Sequence, residues 1–284
     1  FLTHRPENEK KDYDDEIRGL GGKIYHMPVL NPFSPSYMKS LDRFFKEHKE
    51  YKIVHSHLDC LSAYPLKAAK KNGVPVRIAH SHNTSQEKNL KYLIKDYSKK
   101  QIPKYATHLF ACGKEAGKWM FGKHKFQIMN NAIDAKKFIY NEEVRKQKRV
   151  ELGVEDKFVI GHVGRFNLQK NHEFLVKRFA DFAKTNEDAI LVLIGNGELQ
   201  EKIKEMAKEY GIETKVKFLG LREDIPQLLQ AMDLFLFPSL FEGLPVTLVE
   251  AQAAGLPCVI SDMITDEIMI TDQISKVSLS GNTS

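Results

Sequence analysis

Short apolar runs alternate with helix-length amphipathic stretches along the whole chain. In the first half, the β-rich runs are FLTH, KIYHMPV, YKIVHSH, VRIAHSH, ATHLFACG and KFQIM. Each run is followed by a loop or by a stretch long enough for a helix, which is typical of an α/β protein with parallel sheets. The intervening stretches predict helices over residues 12–20, 36–48, 59–72, 86–100 and 114–121.

The second half continues the alternation, and its most informative stretch is FPSLFEGLPVTLVEAQAAGLPCVISD, residues 237–262. The pattern predicts the end of a buried strand, a loop, a short helix and a further buried strand. Pro245 suits the first turn of a helix because its missing N–H needs no partner there, and Gly255 followed by Pro257 is a typical C-terminal stop. The helix is therefore predicted from about Pro245 to Ala254.

Two glutamates in this stretch are candidates for ligand binding. Glu250 lies among apolar helix residues, where an unpaired carboxylate is costly to bury, and ligand hydroxyls would serve as its partners. Glu242 precedes the helix N-terminus, which attracts anions. The plainer alternative is a solvated loop residue for Glu242 and a favourable helix-dipole position for Glu250. The amides that can converge on an anion here belong to Gly243, Leu244, Val246 and Thr247.

A second candidate loop follows the strand KFVIGHVG. Gly164 permits close approach of the backbone, and Arg165 and Lys170 project two cations from the loop before a helix that Asn171 can cap. Either cation alone is typical of a solvated loop. Taken with the two glutamates, they favour a functional site over a pair of solvated loop cations.

Four histidines follow two successive strands: His55 and His57 after YKIV, and His80 and His82 after VRIA. Ligands collect beyond the carboxyl ends of parallel strands, so the repeated placement favours a functional role over packing. Zinc is one interpretation of a histidine cluster. We expect the two members of each pair to point to opposite faces, however, and a metal site is therefore not expected.

Composition indicates a globular protein of two domains. The chain has 284 residues, of which 42% are hydrophobic and 28% charged, and no apolar run approaches the ~20 residues of a membrane-spanning helix. Its first residues lack the pattern of a signal peptide. Cys60, Cys112 and Cys258 are odd in number and far apart, which excludes a disulfide framework and a CxxC zinc site. A cytoplasmic location is expected.

The net charge of +6 is unevenly distributed, at +12 for residues 1–140 and −6 for residues 141–284. A basic first half could face anionic lipid headgroups, a diphosphate-bearing acceptor or nucleic acid. Solvated lysines on helix faces are the plainer explanation for any one residue. No aromatic-interleaved basic segment or recognition-helix pattern is visible, so nucleic acid is not an expected partner.

The frame F-E-G-L-P-x-x-x-x-E-A-x-A-x-G-x-P, which contains Glu242 and Glu250, resembles the Glu-x7-Glu signature of retaining glycosyltransferases with the GT-B fold. The group it resembles is family four, which builds bacterial capsular and exopolysaccharide. The resemblance extends over most of the chain. Further similar segments are NAIDAKKF, in which Ala132 replaces the family's usual glycine, GRFNLQKN, GNG at residues 195–197 and FLGLREDIPQLLQAMDLFLFPS.

The resemblance implies two Rossmann-like domains whose parallel sheets face each other across a cleft. We place the boundary in the charged segment EEVRKQKRVELGV, which gives an acceptor-side domain over residues 1–145 and a nucleotide-sugar-binding domain over residues 146–284. The family usually opens with a strand and a glycine-rich loop and closes with helices that return to the first domain. This chain is expected to lack both, and therefore to bind nucleotide yet turn over poorly.

The resemblance also implies roles for particular residues. Arg165 and Lys170 would clamp the donor diphosphate, whose negative charge grows as the glycosidic bond breaks, so that fixed cations stabilise the transition state most. Glu242 would hold hydroxyls of the transferred sugar, Glu250 would bind the ribose, and His57 would lie near the sugar. The other implied positions are Gly164, Gly195, Leu221, Arg222, Gly243, Leu244, Pro245 and Val246 on the donor side, with the backbone of Leu221 and Arg222 at the nucleobase, and His82 and Asn83 on the acceptor side.

The implied reaction moves a hexosyl unit, with retention, from a nucleotide diphosphate sugar, preferably UDP-linked, to a growing glycan or lipid-linked saccharide. The leaving phosphate itself would deprotonate the acceptor, so no protein base is assigned. No cofactor or catalytic metal is expected, because Asp12-Tyr13-Asp14 lies in a charged surface stretch rather than after a buried strand. The basic first half suggests a peripheral position at the inner face of the membrane.

Two alternatives stay open at this point, and a third is disfavoured. An epimerase or a phosphorylase on the same fold would differ in what accepts the sugar. A sugar-nucleotide or anionic-lipid binding module would bind without turnover. A nicotinamide-dependent dehydrogenase is disfavoured, because Gly195 and Gly197 lack the third glycine and the acidic residue of the dinucleotide fingerprint.

Overall fold

The computed structural model describes residues 1–7, 13–86 and 92–280. Contacts within the chain define two compact units. The first consists of Phe1–His82 and Gln86–Met129, and the second of Asn83–Ser85 and the chain from Asn130 onward. Both units are built from parallel strands and helices that alternate along the chain, which confirms the predicted α/β class.

The strands of the first unit form a parallel pair, β1-β2, and a parallel sheet of order β3-β4-β5-β6. Neighbouring strands of this sheet are therefore also consecutive in the chain. The elements are β1 (Leu2–Thr3), α1 (Asp14–Gly19), β2 (Tyr25–His26), α2 (Pro35–Glu47), β3 (Ile53–Ser56), α3 (Ala63–Lys71), β4 (Val76–Ser81), α4 (Tyr92–Tyr105), β5 (His108–Ala111), α5 (Lys114–Phe121) and β6 (Gln127–Ile128).

Helix α2 shows how the hydrophobic pattern builds the core of this unit. Ser34 caps its N-terminus by accepting a hydrogen bond from the amide of Tyr37, and Pro35 occupies the first turn. Tyr37, Leu41 and Phe45 recur every four residues, so they share one face and are buried in one cluster with residues of α3.

The second unit contains one parallel sheet of order β12-β11-β10-β7-β8-β9. Numbered within the unit and read from β9, this order is 3-2-1-4-5-6, the order of dinucleotide-binding folds. Its switch point lies between β7 and β10, where such sheets bind ligands. The elements are α6 (Glu142–Leu152), β7 (Phe158–Val163), α7 (His172–Ala183), β8 (Ala189–Ile194), α8 (Gln200–Glu209), β9 (Val216–Gly220), α9 (Ile225–Ala231), β10 (Leu234–Phe237), α10 (Val246–Ala253), β11 (Cys258–Ser261) and β12 (Ile274–Val277).

The helix predictions differ from the structure mainly at helix ends. Helix α5 has the predicted bounds, but residues 59–72 form a 3₁₀ segment (Asp59–Ser62) followed by α3. The start predicted at Asp12 and part of the range 86–100 lie outside the described residues. Pro245 is the residue before α10 rather than its first helical residue. Among the described helices, none combines the length and the apolarity needed to cross a membrane.

Asp14 was expected on a charged surface, and this expectation was wrong. The residue is buried, with 3% of its surface exposed, and its carboxylate pairs with the guanidinium of Arg5. A buried carboxylate is retained where a cation compensates its lost hydration. The interpretation of this stretch as a surface helix therefore holds for Asp15 and Glu16, which are exposed, but not for Asp14.

The contacts place helix α6 entirely in the second unit, whereas the sequence places the boundary within it, after residue 145. Arg145 donates hydrogen bonds to the carbonyls of Gln230 (2.9 Å) and Met232 (2.7 Å). Arg149, 8% exposed, donates to the carbonyl of Ala231 at 2.9 Å. Two charges of the predicted boundary segment therefore bind the end of α9 and the residue that follows it.

Candidate active site

Two loops of the second unit meet at the switch point of its sheet. The loop after β7 comprises residues 164–171, and the loop after β10 comprises residues 238–245. The Leu240 amide donates to the Gln169 carbonyl at 2.8 Å, and the Gln169 side chain donates to the Phe241 carbonyl at 2.9 Å. Gln169 was missed by sequence reasoning, because a polar residue between two predicted cations carries no signal of its own.

The two loops also contribute an ion pair. Lys170 Nζ lies 2.8 Å from Glu242 Oε1, and the side chains are only 16% and 9% exposed. The same ammonium group lies 4.6 Å from the centroid of the Phe237 ring. A buried pair of this kind must stay together, because either charge alone would be costly in this environment. The structure thus brings together two residues that the sequence singled out in separate segments.

Asn171 occupies the position before α7, as predicted, but its side chain does not cap the helix. Its backbone is left-handed, with φ of 54°, a conformation that asparagine tolerates better than most residues. The side-chain amide instead donates to the Pro238 carbonyl at 3.2 Å. Asn171 is therefore a further link between the two loops.

The loop before α10 presents donors without acceptors. Within the described part of the chain, no acceptor is present for the amides of Gly243, Leu244, Val246 and Thr247. The hydroxyls of Thr247 and Ser239 are also buried without a hydrogen-bond partner among the described residues. Donors at a helix N-terminus attract anions because the helix dipole adds to their partial charges. The arrangement can therefore bind a phosphate or a carboxylate.

The carbonyl groups of this loop are fixed by residues that the sequence analysis did not single out. The Thr84 hydroxyl donates to the Glu242 carbonyl at 2.6 Å. The Asn131 side chain donates to the Leu244 carbonyl at 2.7 Å. Asn131 opens the NAIDAKKF segment, so that resemblance was the available signal, whereas Thr84 had none. Asn83, predicted on the acceptor side, begins the short segment 83–85 that groups with the second unit.

Glycines allow the backbone to approach closely at the carboxyl ends of β7, β8 and β9, beneath the two loops. Gly195 donates to the Gly220 carbonyl at 2.8 Å, and its φ is +131°. A Cβ atom at Gly195 would lie 2.2 Å from the Gly164 carbonyl oxygen, which no side chain can occupy. A Cβ at Gly164 would in turn meet a ring nitrogen of His162 at 2.8 Å. Both predicted glycines are therefore required for this geometry.

The two predicted arginines have acidic partners of their own. Arg165 pairs with Glu198 at 3.0 Å, and both side chains are mostly exposed. Arg222 donates to both carboxylate oxygens of Asp224 at 2.7 Å and to Glu151 at 3.0 Å, and it holds the pKa of Asp224 far below its usual range. The side chain of Arg222 is thus occupied by two carboxylates of the same unit. Leu221, its neighbour, is 70% exposed after β9.

Glu250 has the unpaired carboxylate that the sequence predicted. It lies in α10, and burial raises the pKa of its side chain. No hydrogen-bond or ion-pair partner for this carboxylate is present among the described residues. A ligand hydroxyl would relieve the desolvation that raises the pKa.

The four predicted histidines form a cluster in the first unit, at the carboxyl ends of β3 and β4. His55 Nε2 lies 3.2 Å from His80 Nδ1, and His57 Nδ1 lies 2.8 Å from His82 Nε2. Ring centroids are 4.2 Å apart for His55 and His57, and 4.3 Å apart for His80 and His82. The expectation that each pair points to opposite faces was wrong, because residues two apart on an extended strand face the same side.

The cluster is electrically neutral near pH 7. Desolvation is the main cause that lowers the pKa of all four imidazoles, and the pKa values of His57 and His80 fall to about 4 from all causes together. Repulsion between neighbouring rings adds to this effect at His55, His57 and His80. Neutral imidazoles can both donate and accept hydrogen bonds, and they can bind metal ions.

Comparison with solved structures establishes the class of fold. The chain resembles HepE of Anabaena, crystallised with UDP and glucose, with a TM-score of 0.79 at 18% identity, covering 95% of this chain and 76% of that one. It also resembles sucrose-phosphate synthase of Thermosynechococcus elongatus, with a TM-score of 0.78 at 17% identity, covering 99% and 75%. These similarities confirm the predicted GT-B fold.

Sequence relatives establish the family. Residues 143–277 match the family described as glycosyl transferases group 1. EpsF of Bacillus subtilis (strain 168), which is named as a glycosyltransferase, is 38% identical over 94% of this chain and 72% of its own length. The UDP-Gal:alpha-D-GlcNAc-diphosphoundecaprenol alpha-1,3-galactosyltransferase of Escherichia coli is 28% identical over 92% and 71%. The chain therefore belongs to the group 1 glycosyltransferases.

Proposed function

We propose that this chain is a retaining glycosyltransferase that moves a hexosyl unit from a nucleotide diphosphate sugar, UDP-linked by preference, to a growing glycan or a lipid-linked saccharide. The process would be assembly of an exopolysaccharide or capsule. The observation that carries the proposal is the buried Lys170–Glu242 pair beside four amides of the second unit that have no acceptor in the described chain. The name of the Escherichia coli relative supports both a UDP-linked donor and a lipid-linked acceptor.

The diphosphate is the part of the donor that this site suits best. Lys170 and Arg165 supply positive charge, and the amides of Gly243, Leu244, Val246 and Thr247 supply fixed donors. As the glycosidic bond breaks, the leaving diphosphate gains negative charge, so donors and cations aimed at it stabilise the transition state more than the ground state. The Thr247 hydroxyl, buried without a partner in the described residues, is a further donor for a phosphate oxygen.

The glutamates would bind hydroxyls at the two ends of the donor. Glu242 would accept hydrogen bonds from the transferred sugar, with its charge held in place by Lys170. Glu250 would accept from the ribose, which would give its half-buried carboxylate the partners it lacks. Gly164, Gly195 and Pro245 would shape the backbone around the diphosphate. The exposed Leu221 and the backbone of Arg222 would meet the nucleobase.

His57 would lie near the transferred sugar, and the acceptor side is assigned to His82 and Asn83. A neutral His57, with its pKa lowered to about 4, is suited to hydrogen bonding with sugar hydroxyls and poorly suited to taking a proton near pH 7. The acceptor hydroxyl would attack the anomeric carbon and pass its proton to an oxygen of the departing phosphate. No protein base is required in this scheme.

The proposal includes no cofactor and no catalytic metal. In the segment considered for metal binding, Asp14 is buried and paired with Arg5, so it is not available to a nucleotide-bound ion. We further propose a cytoplasmic location and peripheral contact of the basic first half with anionic lipid at the inner membrane face. Nucleic acid is not a proposed partner.

The test is calorimetric titration of UDP and of GDP into the metal-free chain. We expect micromolar binding of one nucleotide, preferably UDP, and a loss of at least tenfold in Lys170→Ala. Lys177→Ala, which removes an exposed lysine of α7, is the matched control and should bind like the parent chain. Equal binding by the parent and Lys170→Ala, or no binding of either nucleotide to the folded chain, would contradict the proposal. Binding without transfer to an alcohol acceptor would favour the binding-module alternative.

A further inference from the structure

We propose that His55, His57 and His80 form a binding site for Zn²⁺, and that occupation of this site inhibits glycosyl transfer. The inhibitory part rests on the proposed function, which places His57 beside the transferred sugar. The ion would be an inhibitor rather than a cofactor, so the proposed transfer itself stays independent of metal.

Geometry is the first argument for the site. Each of the three histidines offers a ring nitrogen within 4.8 Å of the other two. Zinc binds imidazole nitrogen at ~2.0–2.1 Å in tetrahedral geometry, so two ligands of one ion lie roughly 3.4 Å apart. His55 Nε2 and His80 Nδ1 are already 3.2 Å apart. Rotation of the exposed His57 side chain can bring one of its ring nitrogens equally close to these two nitrogens.

The fold makes this proximity a property of the backbone. Strands β3 and β4 are parallel and in register, with Ser56 opposite Ala79, so His57 follows directly opposite His80. His55 lies two residues before His57 on the same face. Three ligands on two hydrogen-bonded strand ends lose little conformational freedom when they bind an ion, which favours tight binding.

The ligand chemistry selects a particular class of ion. Three neutral nitrogen ligands suit Zn²⁺, Cu²⁺ or Ni²⁺, whereas Mg²⁺ and Ca²⁺ prefer oxygen. The Phe110 ring lies nearly at right angles to the rings of His55 and His80, with centroids 5.9 and 6.1 Å away, which gives the cluster an apolar side.

A closed network of hydrogen bonds is the competing explanation for the cluster. Such a network would account for the contacts His55–His80 and His57–His82. His80 Nε2 is buried without a hydrogen-bond partner among the described residues, and a zinc ion bound to His80 Nδ1 would leave it so. This nitrogen therefore does not separate the two explanations, whereas metal titration does.

Titration of Zn²⁺ into the metal-free full chain, with Mg²⁺ as the comparison ion, tests the site. We expect one Zn²⁺ to bind with at least micromolar affinity, Mg²⁺ not to bind, and His55→Ala to weaken Zn²⁺ binding at least tenfold. His124→Ala removes an exposed histidine of the same unit and should have no effect. Circular dichroism would verify that both variants are folded. Equal Zn²⁺ binding by the parent chain and His55→Ala would overturn the site.

Co²⁺ gives a readout that scattered surface histidines would not produce. In a tetrahedral site, Co²⁺ should show intense visible absorption in the parent chain and in His124→Ala, and weak absorption in His55→Ala. An octahedral spectrum in all three would overturn the proposed geometry.

Inhibition is tested separately from binding. If Zn²⁺ inhibits transfer in the parent chain but at least tenfold less in His55→Ala, the inhibitory role is supported. Undiminished transfer with the ion bound would overturn that role. Failure of the proposed function itself would appear as absent nucleotide binding by the metal-free chain, a measurement that does not involve the histidines.

Discussion

Lys170 Nζ lies 2.8 Å from Glu242 Oε1, although the two residues are 72 positions apart in the chain. The loops that carry them follow β7 and β10, which are neighbours in the sheet because the strand order reverses there. The pair is therefore a direct product of the topology. It also means that the site is charge-balanced before any ligand arrives, so an incoming diphosphate must share Lys170 with Glu242.

The first prediction concerns the contribution of this pair to the free energy of unfolding. Lys170→Met leaves the Glu242 carboxylate buried and uncompensated, so we expect it to destabilise the protein by ~3–5 kcal/mol. Combining Lys170→Met with Glu242→Gln removes both charges and should recover most of that loss. Urea denaturation measures both values. Lys202→Ala breaks an exposed pair with Glu173, which has a similar separation of 2.7 Å, and should cost less than ~1 kcal/mol. Equal losses in the single and double variants would refute the coupling.

The second prediction concerns Glu250. Glu250→Gln should weaken UDP binding about tenfold or more, because a hydrogen bond to a charged group contributes ~1.5–3 kcal/mol. It should leave stability at pH 7 unchanged or raised, since burial raises the pKa of this carboxyl and thus penalises its ionised form. Calorimetry and denaturation measure the two effects. Glu205→Gln, at an exposed position of α8, is the control. Unchanged UDP affinity in Glu250→Gln would rule out a ribose contact.

The third prediction separates steric conflict from backbone strain. Gly195→Ala places a Cβ 2.2 Å from the Gly164 carbonyl oxygen, and we expect it to lose nucleotide binding and more than ~3 kcal/mol of stability. Gly211 has a positive φ of +68° but open space around it, so Gly211→Ala should cost only ~1–2 kcal/mol and retain binding. Denaturation with UDP titration of both variants is the check. Similar behaviour of the two variants would show that the close approach at Gly195 is unimportant.

The sequence was sufficient for those parts of the fold that local patterns determine. The run at residues 189–194 is entirely buried as β8, as a nearly continuous apolar strand predicts. Helix α5 follows its amphipathic stretch residue for residue. The position of α6 could not be predicted, because Arg145 and Arg149 form hydrogen bonds with carbonyls more than eighty positions away. The charged segment suggested a boundary between domains, whereas its partners become visible only in the folded chain.

The sequence was sufficient to select residues of the candidate site, but it could not predict the hydrogen bonds that connect them. Glu250 carried a local signal, a carboxylate among apolar helix residues, whereas Lys170 and Glu242 became candidates only in combination. Gln169 and Thr84 carried none, since their role depends on carbonyls that only the folded chain brings near. The prediction about the histidine pairs failed for a different reason. Residues i and i+2 of a strand were assigned to opposite faces, although they share one face.

The final prediction concerns two buried histidines beneath the candidate site. Both ring nitrogens of His172 are buried without partners in the described residues, and its ring stacks on Phe166 with centroids 4.1 Å apart. His162 lies at 4.7 Å from His172, centroid to centroid, and its Nδ1 hydrogen bonds with the Leu236 carbonyl at 2.8 Å. Desolvation and, to a smaller extent, the charge of Lys170 lower the pKa of both rings, to about 4 for His172, and repulsion from His172 further lowers the pKa of His162.

Because of this arrangement, we expect the stability of the protein to fall as the pH falls. The unfolded chain takes up protons near the ordinary histidine pKa of 6.5, whereas folded His172 does so only near 4. Stability should therefore be fully present above pH 6.5 and fall as the pH drops toward 4, by up to ~1.4 kcal/mol per pH unit for each histidine. His172→Phe, which keeps a stacked ring, should reduce this slope by the contribution of one histidine. His124→Phe, at an exposed position, should leave the slope unchanged. Urea denaturation between pH 4.5 and 7.5 measures the slopes. An unchanged slope in His172→Phe would mean that His172 is not among the groups whose protonation unfolds the protein.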